Sequence, residues 1–100
     1  MNTHPMKLVT IVCEAHARNV VTSLLREIGA HGYTLFAVEG EGSQGKRSGD
    51  IPEYANIQVE VIVSPEAAEI LLARLESEFF PRYAMIAYET EVRVLRKGKF

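Results

Sequence analysis

The chain has 100 residues, 47% of them hydrophobic, and a net charge of −2 from 11 Lys and Arg against 13 Asp and Glu. That is the size of one domain with a small core, for which oligomerisation is a natural source of added stability. The near-neutral balance, with no strongly basic patch outside one loop and the C-terminal tail, argues against non-specific nucleic-acid binding. A lone cysteine, Cys13, excludes a disulfide framework or Cys-rich zinc site, and no apolar run approaches membrane-spanning length. The N-terminal MNTHPMK is short and polar, so no signal peptide is expected and the cytoplasm is the expected compartment.

Residues 7–13, KLVTIVC, are rich in β-branched side chains and predict a strand. It is apolar on both faces, so it is expected at the centre of a sheet, with Cys13 a buried apolar residue near its end. A helix is expected over 15–28, where Val20, Val21, Leu24, Leu25 and Ile28 recur at helical spacing and Gly29 suits the position just past the end. A turn through Gly29, Ala30, His31 and Gly32 leads into a second strand over 33–38. His16 and His31 sit on different elements without acidic or histidine partners at ligand spacing, and His4 lies near the terminus. Surface or helix-end histidines are the simpler reading, against a metal site.

The next stretch, 39–55, reads EGEGSQGKRSGDIPEYA and lacks the periodicity of its flanks. Its glycines (Gly40, Gly42, Gly45 and Gly49) allow several backbone N–H groups to converge on one anion, and Lys46 and Arg47 add charge. An anion-binding, phosphate-type loop is the functional expectation; a solvated hairpin loop is the plain alternative. Two motif fits fail. Gly40, Gly42 and Gly45 satisfy G-x-G-x-x-G, but Gly49, Asp50 and Pro52 leave no helix to follow. Gly40 to Lys46 satisfies G-x-x-x-x-G-K, but Arg47 stands where a P-loop needs Ser or Thr.

Beyond the loop, Asn56–Val63 alternates Ile57, Val59, Val61 and Val63 with Gln58, Glu60 and Ile62, a half-buried strand. Ser64, Pro65 and Glu66 mark a helix start, and Ala68, Leu71, Leu72, Leu75 and Phe79 form its apolar stripe until Pro81 ends it. After a turn over 80–84, a last strand is expected over 85–96. The order strand–helix–strand–strand–helix–strand predicts an α+β, ferredoxin-like βαββαβ fold: a four-stranded antiparallel sheet, both helices on one face, a long loop between strands two and three. The open face is expected to pack against other subunits.

Enzymatic sets are absent from this pattern. The third strand has no aromatic residue to stack bases, one cysteine cannot form a metallochaperone pair, and no Ser/His/Asp or Cys/His arrangement is evident. Asp50, Glu39 and Glu41 fall in or beside the loop and Glu66, Glu69 and Glu76 on a helix, where solvation explains them. A ligand-binding, non-enzymatic domain fits better. Arg93, Arg96 and Lys97 could add charge to an anion site from the same or a neighbouring subunit; a solvated basic tail is the alternative.

Gly32-Tyr33-Thr34 opening the second strand, Gly40-x-Gly42-x-Gln44 opening the long loop, and the element order together resemble PII-type signalling proteins over nearly the whole chain. The run GEGSQGKRSG resembles in particular the PII-like branch associated with bicarbonate transporters and carboxysomes. The resemblance implies a homotrimer with adenine nucleotide in each inter-subunit cleft and a "T-loop" that is ordered by ligand and contacts a partner, such as a membrane transporter or a carbon-metabolism protein. It implies Thr34 near the adenine or ribose, with Gly40, Gly42, Ser43, Gln44, Arg93 and Arg96 in the nucleotide site. It places Gly45, Lys46 and Arg47 at a bicarbonate or second-anion site. Main-branch PII proteins carry a glycine- and lysine-bearing loop after the second helix, where this chain has Phe80-Pro81-Arg82-Tyr83-Ala84. That departure favours ADP, AMP or cyclic AMP with bicarbonate over ATP with 2-oxoglutarate. A trimeric divalent-metal tolerance protein of similar fold is the alternative.

Overall fold

The computed structural model describes residues 1–40 and 56–96. The elements are β1 (His4–Glu14), a 3-10 turn (Ala15–Ala17), α1 (Arg18–Glu27), β2 (Thr34–Val38), β3 (Asn56–Val63), α2 (Pro65–Arg74) and β4 (Met85–Val94). A π-helical turn, Leu75–Phe79, continues α2. The strands form one antiparallel sheet in the order β2-β3-β1-β4. This is the predicted ferredoxin-like topology, with β1 central as its two-sided apolar pattern requires.

Strand alternation sorts the side chains. Val9, Ile11 and Cys13 of β1 and Ile57, Val59, Val61 and Val63 of β3 join one core cluster with Ala17, Val21, Leu24 and Leu25 and with Ala68, Leu71, Leu75 and Phe79. Of the predicted stripe of the second helix, Ala68, Leu71, Leu75 and Phe79 are buried and Leu72 is half-buried at its edge. On α1 the expectation needs correcting. Its first turn is 3-10, and Val20 is 41% exposed while Thr22 is buried. The buried stripe is centred on Ala17, Val21, Leu24 and Leu25, which leaves Val20 on its rim. The Thr22 hydroxyl donates to the Asn19 carbonyl at 3.2 Å, so its burial leaves no orphan polar atom.

The helix ends follow the sequence closely. Gly29 has φ +84°, and the Ala30 and Gly29 amides donate to the carbonyls of Leu25 (2.9 Å) and Arg26 (3.1 Å). That is a Schellman end, for which a Cβ at position 29 would be strained. At the start of α2, Ser64 Oγ accepts from the Ala67 amide at 3.1 Å. Ser64→Ala therefore destabilises the fold by about 1 kcal/mol, read as a lower urea midpoint at unchanged slope; an unchanged midpoint would show the cap contributes nothing.

Arg74 reaches Glu27 of α1 at 3.3 Å and Glu78, one turn further along its own helical run, at 2.8 Å. Its hydrogen bond holds the Glu78 carboxyl below the ordinary range, against a smaller effect of desolvation. The stability this adds is present above the unfolded-state value of that carboxyl and is lost as pH falls through its folded value. The exposed Arg74–Glu27 pair aligns the helices more than it stabilises them.

Among the described residues, no helix lies on the opposite face of the sheet. Thr34, Phe36 and Val38, then Asn56, Gln58, Glu60 and Ile62, then Leu8, Thr10 and Val12, then Ile86, Tyr88 and Thr90 share it by register. Phe36, Ile86 and Tyr88 are 40%, 59% and 49% exposed.

Candidate functional site

Register fixes where the predicted residues lie. Gly40 follows β2 at the sheet end where Val38 pairs with Asn56 and Asn56 with Glu14. Arg93 pairs with Pro5 at the other end of β1, and Arg96 lies beyond it. At a strand's rise the span from Pro5 to Glu14 is roughly 30 Å. Thr34 sits between these extremes, in the cross-sheet row Thr34, Glu60, Thr10 and Tyr88. Within one chain the glycine-loop entrance and Arg93 and Arg96 thus lie at opposite ends of the sheet. Gly42, Ser43, Gln44, Gly45, Lys46 and Arg47 lie outside the described residues, as does Lys97.

At the arginine end, Pro5, Met6, Lys7, Pro65, Glu91, Val92 and Arg93 line a groove of about 430 Å³. Lys7 Nζ is engaged by Glu89 at 3.5 Å and Glu91 at 3.4 Å. Desolvation pulls its pKa down, but the hydrogen bond to Glu91 and the two carboxylate charges outweigh it and hold the ammonium above its ordinary value. Arg93 is exposed and has no ion pair among the described residues. Of the two cations in the groove, Arg93 is therefore the one whose five donors are left for a ligand.

In the middle row, the sequence reading missed Glu60. It lies opposite Thr34, half-buried, with its carboxylate accepting from Gln58 Nε2 at 3.1 Å. A hydroxyl and a carboxylate side by side can accept from an exocyclic amino group and a ribose. The available signal was an acidic residue inside an otherwise apolar alternation.

At the loop end it also missed Glu14. The carboxylate accepts from the Ala84 amide at 2.8 Å and lies 3.1 Å from His16 Nδ1. His16 thus has an acidic partner two residues away, and its ring packs on Tyr83 at 5.5 Å between centroids. Among the described residues no three His, Cys, Asp or Glu side chains are grouped to hold a metal ion.

Cys13 is 1% exposed, and burial, with the nearby Glu14 charge, pushes its thiol up to about 11. The folded protein is therefore alkylated at pH 8 more than about 100-fold more slowly than the urea-unfolded chain, because the thiolate is the nucleophile and access is lost. Equal labelling rates would contradict the buried position.

Known proteins share this architecture. The family model for nitrogen regulatory protein P-II matches residues 6–99. A PII-like signalling protein of Thermus thermophilus is similar at 46% identity and TM-score 0.87, over 100% of this chain and 99% of that one. CPII of Thiomonas intermedia K12, a nitrogen regulatory PII-like protein solved with ADP, AMP and bicarbonate, is similar at 27% identity and TM-score 0.90, over 99% and 96%. The same protein with ADP, AMP and acetate matches at 26% identity and TM-score 0.86, over 100% and 98%.

Proposed function

The chain belongs to the nitrogen regulatory protein P-II family, and from that premise we propose that it is a non-enzymatic PII-like regulator, a homotrimer that binds ADP or AMP in each cleft between subunits with bicarbonate as co-ligand. The observation that carries this reading is the roughly 30 Å between the loop entrance at Gly40 and Arg93 within one chain. A phosphate chain can touch both only where the arginine end of one copy meets the loop end of another. The open sheet face, with Phe36, Ile86 and Tyr88 exposed, is the surface through which copies pack.

In this cleft Thr34 and Glu60 take the adenine amino group and ribose, Arg93 and Arg96 the phosphates, and the backbone of Gly40, Gly42, Ser43 and Gln44 the remaining oxygens. Gly45, Lys46 and Arg47 take bicarbonate, and cyclic AMP is a further candidate for the nucleotide. Support for the ligands comes from CPII, found with ADP, AMP and bicarbonate, and also with ADP, AMP and acetate. We hypothesise that nucleotide and bicarbonate together fix residues 39–55, at a cost of roughly 1–2 kcal/mol per residue fixed, which suits a switch that presents the loop to a partner. A transporter or enzyme of inorganic-carbon metabolism, in the cytoplasm or at its membrane, is the proposed target. No helix among the described residues is long and apolar enough to cross a membrane itself.

Calorimetric titration with ADP, AMP, ATP and cyclic AMP, each with and without bicarbonate, tests the reading. ADP or AMP binding that is tightened by bicarbonate is expected. Binding indifferent to bicarbonate would remove the carbon link, and no nucleotide binding at all would overturn the proposal.

A further inference from the structure

We propose that Glu14 is a positioning residue for the ligand site, clamping the turn 80–84 to the mouth of the long loop so that both form one rigid rim. The inference rests on the nucleotide-binding reading above.

Three observations converge on it. The first is placement. Glu14 ends β1 opposite Asn56, the first residue after the loop, and Asn56 is opposite Val38, the last strand residue before it. The second is how the carboxylate is used. Its Oε1 accepts from the Ala84 amide at 2.8 Å, Oε2 lies against His16 Nδ1 at 3.1 Å, and the side chain is only 14% exposed. A carboxyl held largely out of water is costly unless its contacts compensate it, and here the Ala84 amide and the His16 ring nitrogen supply those contacts. The third is the turn itself. Its amides are fixed from inside, with Arg82 and Tyr83 donating to the Phe79 carbonyl at 2.9 and 3.0 Å and Phe80 to that of Leu75 at 2.9 Å. Tyr83 packs on Phe79 at 6.2 Å and on His16 at 5.5 Å. The turn is thus a preformed block, and the Glu14 side chain is its hydrogen-bonded link to the strand beside the loop. Glu14 thereby joins the Cys13–Met85 strand pairing and the Tyr83–His16 ring contact in coupling the loop mouth to the turn.

The test compares Glu14→Ala with Glu14→Gln by calorimetry, with melting temperature and oligomeric mass as separate readouts of folding. Glu14→Gln keeps an oxygen for the Ala84 amide and is expected to bind ADP within about threefold of the unaltered chain, whereas Glu14→Ala weakens it about tenfold. Hydrogen exchange on the unaltered chain makes the test independent of any variant's folding: ADP is expected to slow exchange at Ala84 together with residues 38–40 and 56–57. Protection of 38–40 without Ala84, or equal affinity of Glu14→Ala and the unaltered chain, would overturn the inference and leave the nucleotide reading standing. Failure of the unaltered chain to bind any nucleotide would overturn both.

Discussion

On the proposed nucleotide site, Arg93→Ala is expected to lower ADP affinity about 10- to 100-fold and to leave the fold intact. The size follows from removing charge-assisted hydrogen bonds to phosphate, worth roughly 1.5–3 kcal/mol. The selectivity follows from geometry. Arg93 is exposed and unpaired among the described residues, so its loss strands no buried partner and opens no cavity. Arg93→Lys should recover only part of the affinity, because an ammonium keeps the charge but not the planar fork. The remaining affinity should also depend less steeply on salt. A Kd within twofold of the unaltered chain, with an unchanged melting temperature, would remove Arg93 from the site.

Leu71→Ala is the substitution expected to damage the fold most. Leu71 is 0% exposed and packs in the cluster between α2 and the strands. Removing it costs about 2–5 kcal/mol, the transfer loss plus the cavity left where the sheet and α1 cannot collapse. For a domain whose total stability is roughly 5–15 kcal/mol, this is a large fraction. Urea unfolding at fixed protein concentration measures it, since assembly makes the midpoint concentration-dependent. Ile70→Ala, one residue away but 54% exposed, should cost far less in the same assay. Equal costs for the two would contradict the assignment of the buried stripe.

Most of the fold was legible because it is encoded locally. Alternation in Asn56–Val63 marked the strand to the residue, Ser64-Pro65-Glu66 marked the start of α2, and Gly29 marked the end of α1. These signals depend on neighbours within a few positions, where propensity and periodicity act. Boundaries drifted where local signals are weak: the last strand ends at Val94 rather than 96, and Ala15–Ala17 is 3-10. The glycine-and-cation composition of the loop was also plain, as was the arginine at the end of the last strand. What the sequence could not carry were relationships made by register. Glu60 meets Thr34, and Glu14 meets Ala84 across 70 residues, only because the strands pair as they do. The distance between Gly40 and Arg93 likewise belongs to the sheet, and with it the proposed requirement for a second chain.

That requirement is the central claim, and mixing two defective chains tests it most directly. Arg93→Ala has an intact loop, and the double variant Gln44→Ala, Arg47→Ala has an intact arginine end. Each alone should bind ADP weakly in the presence of bicarbonate. After unfolding and refolding together in equal amounts, random trimers should contain about one fully intact cleft in four, because closed symmetry pairs each loop with the next subunit's arginines. Recovery of that fraction of high-affinity sites is the predicted result. No recovery, although the chains demonstrably co-assemble, would contradict a site shared between subunits.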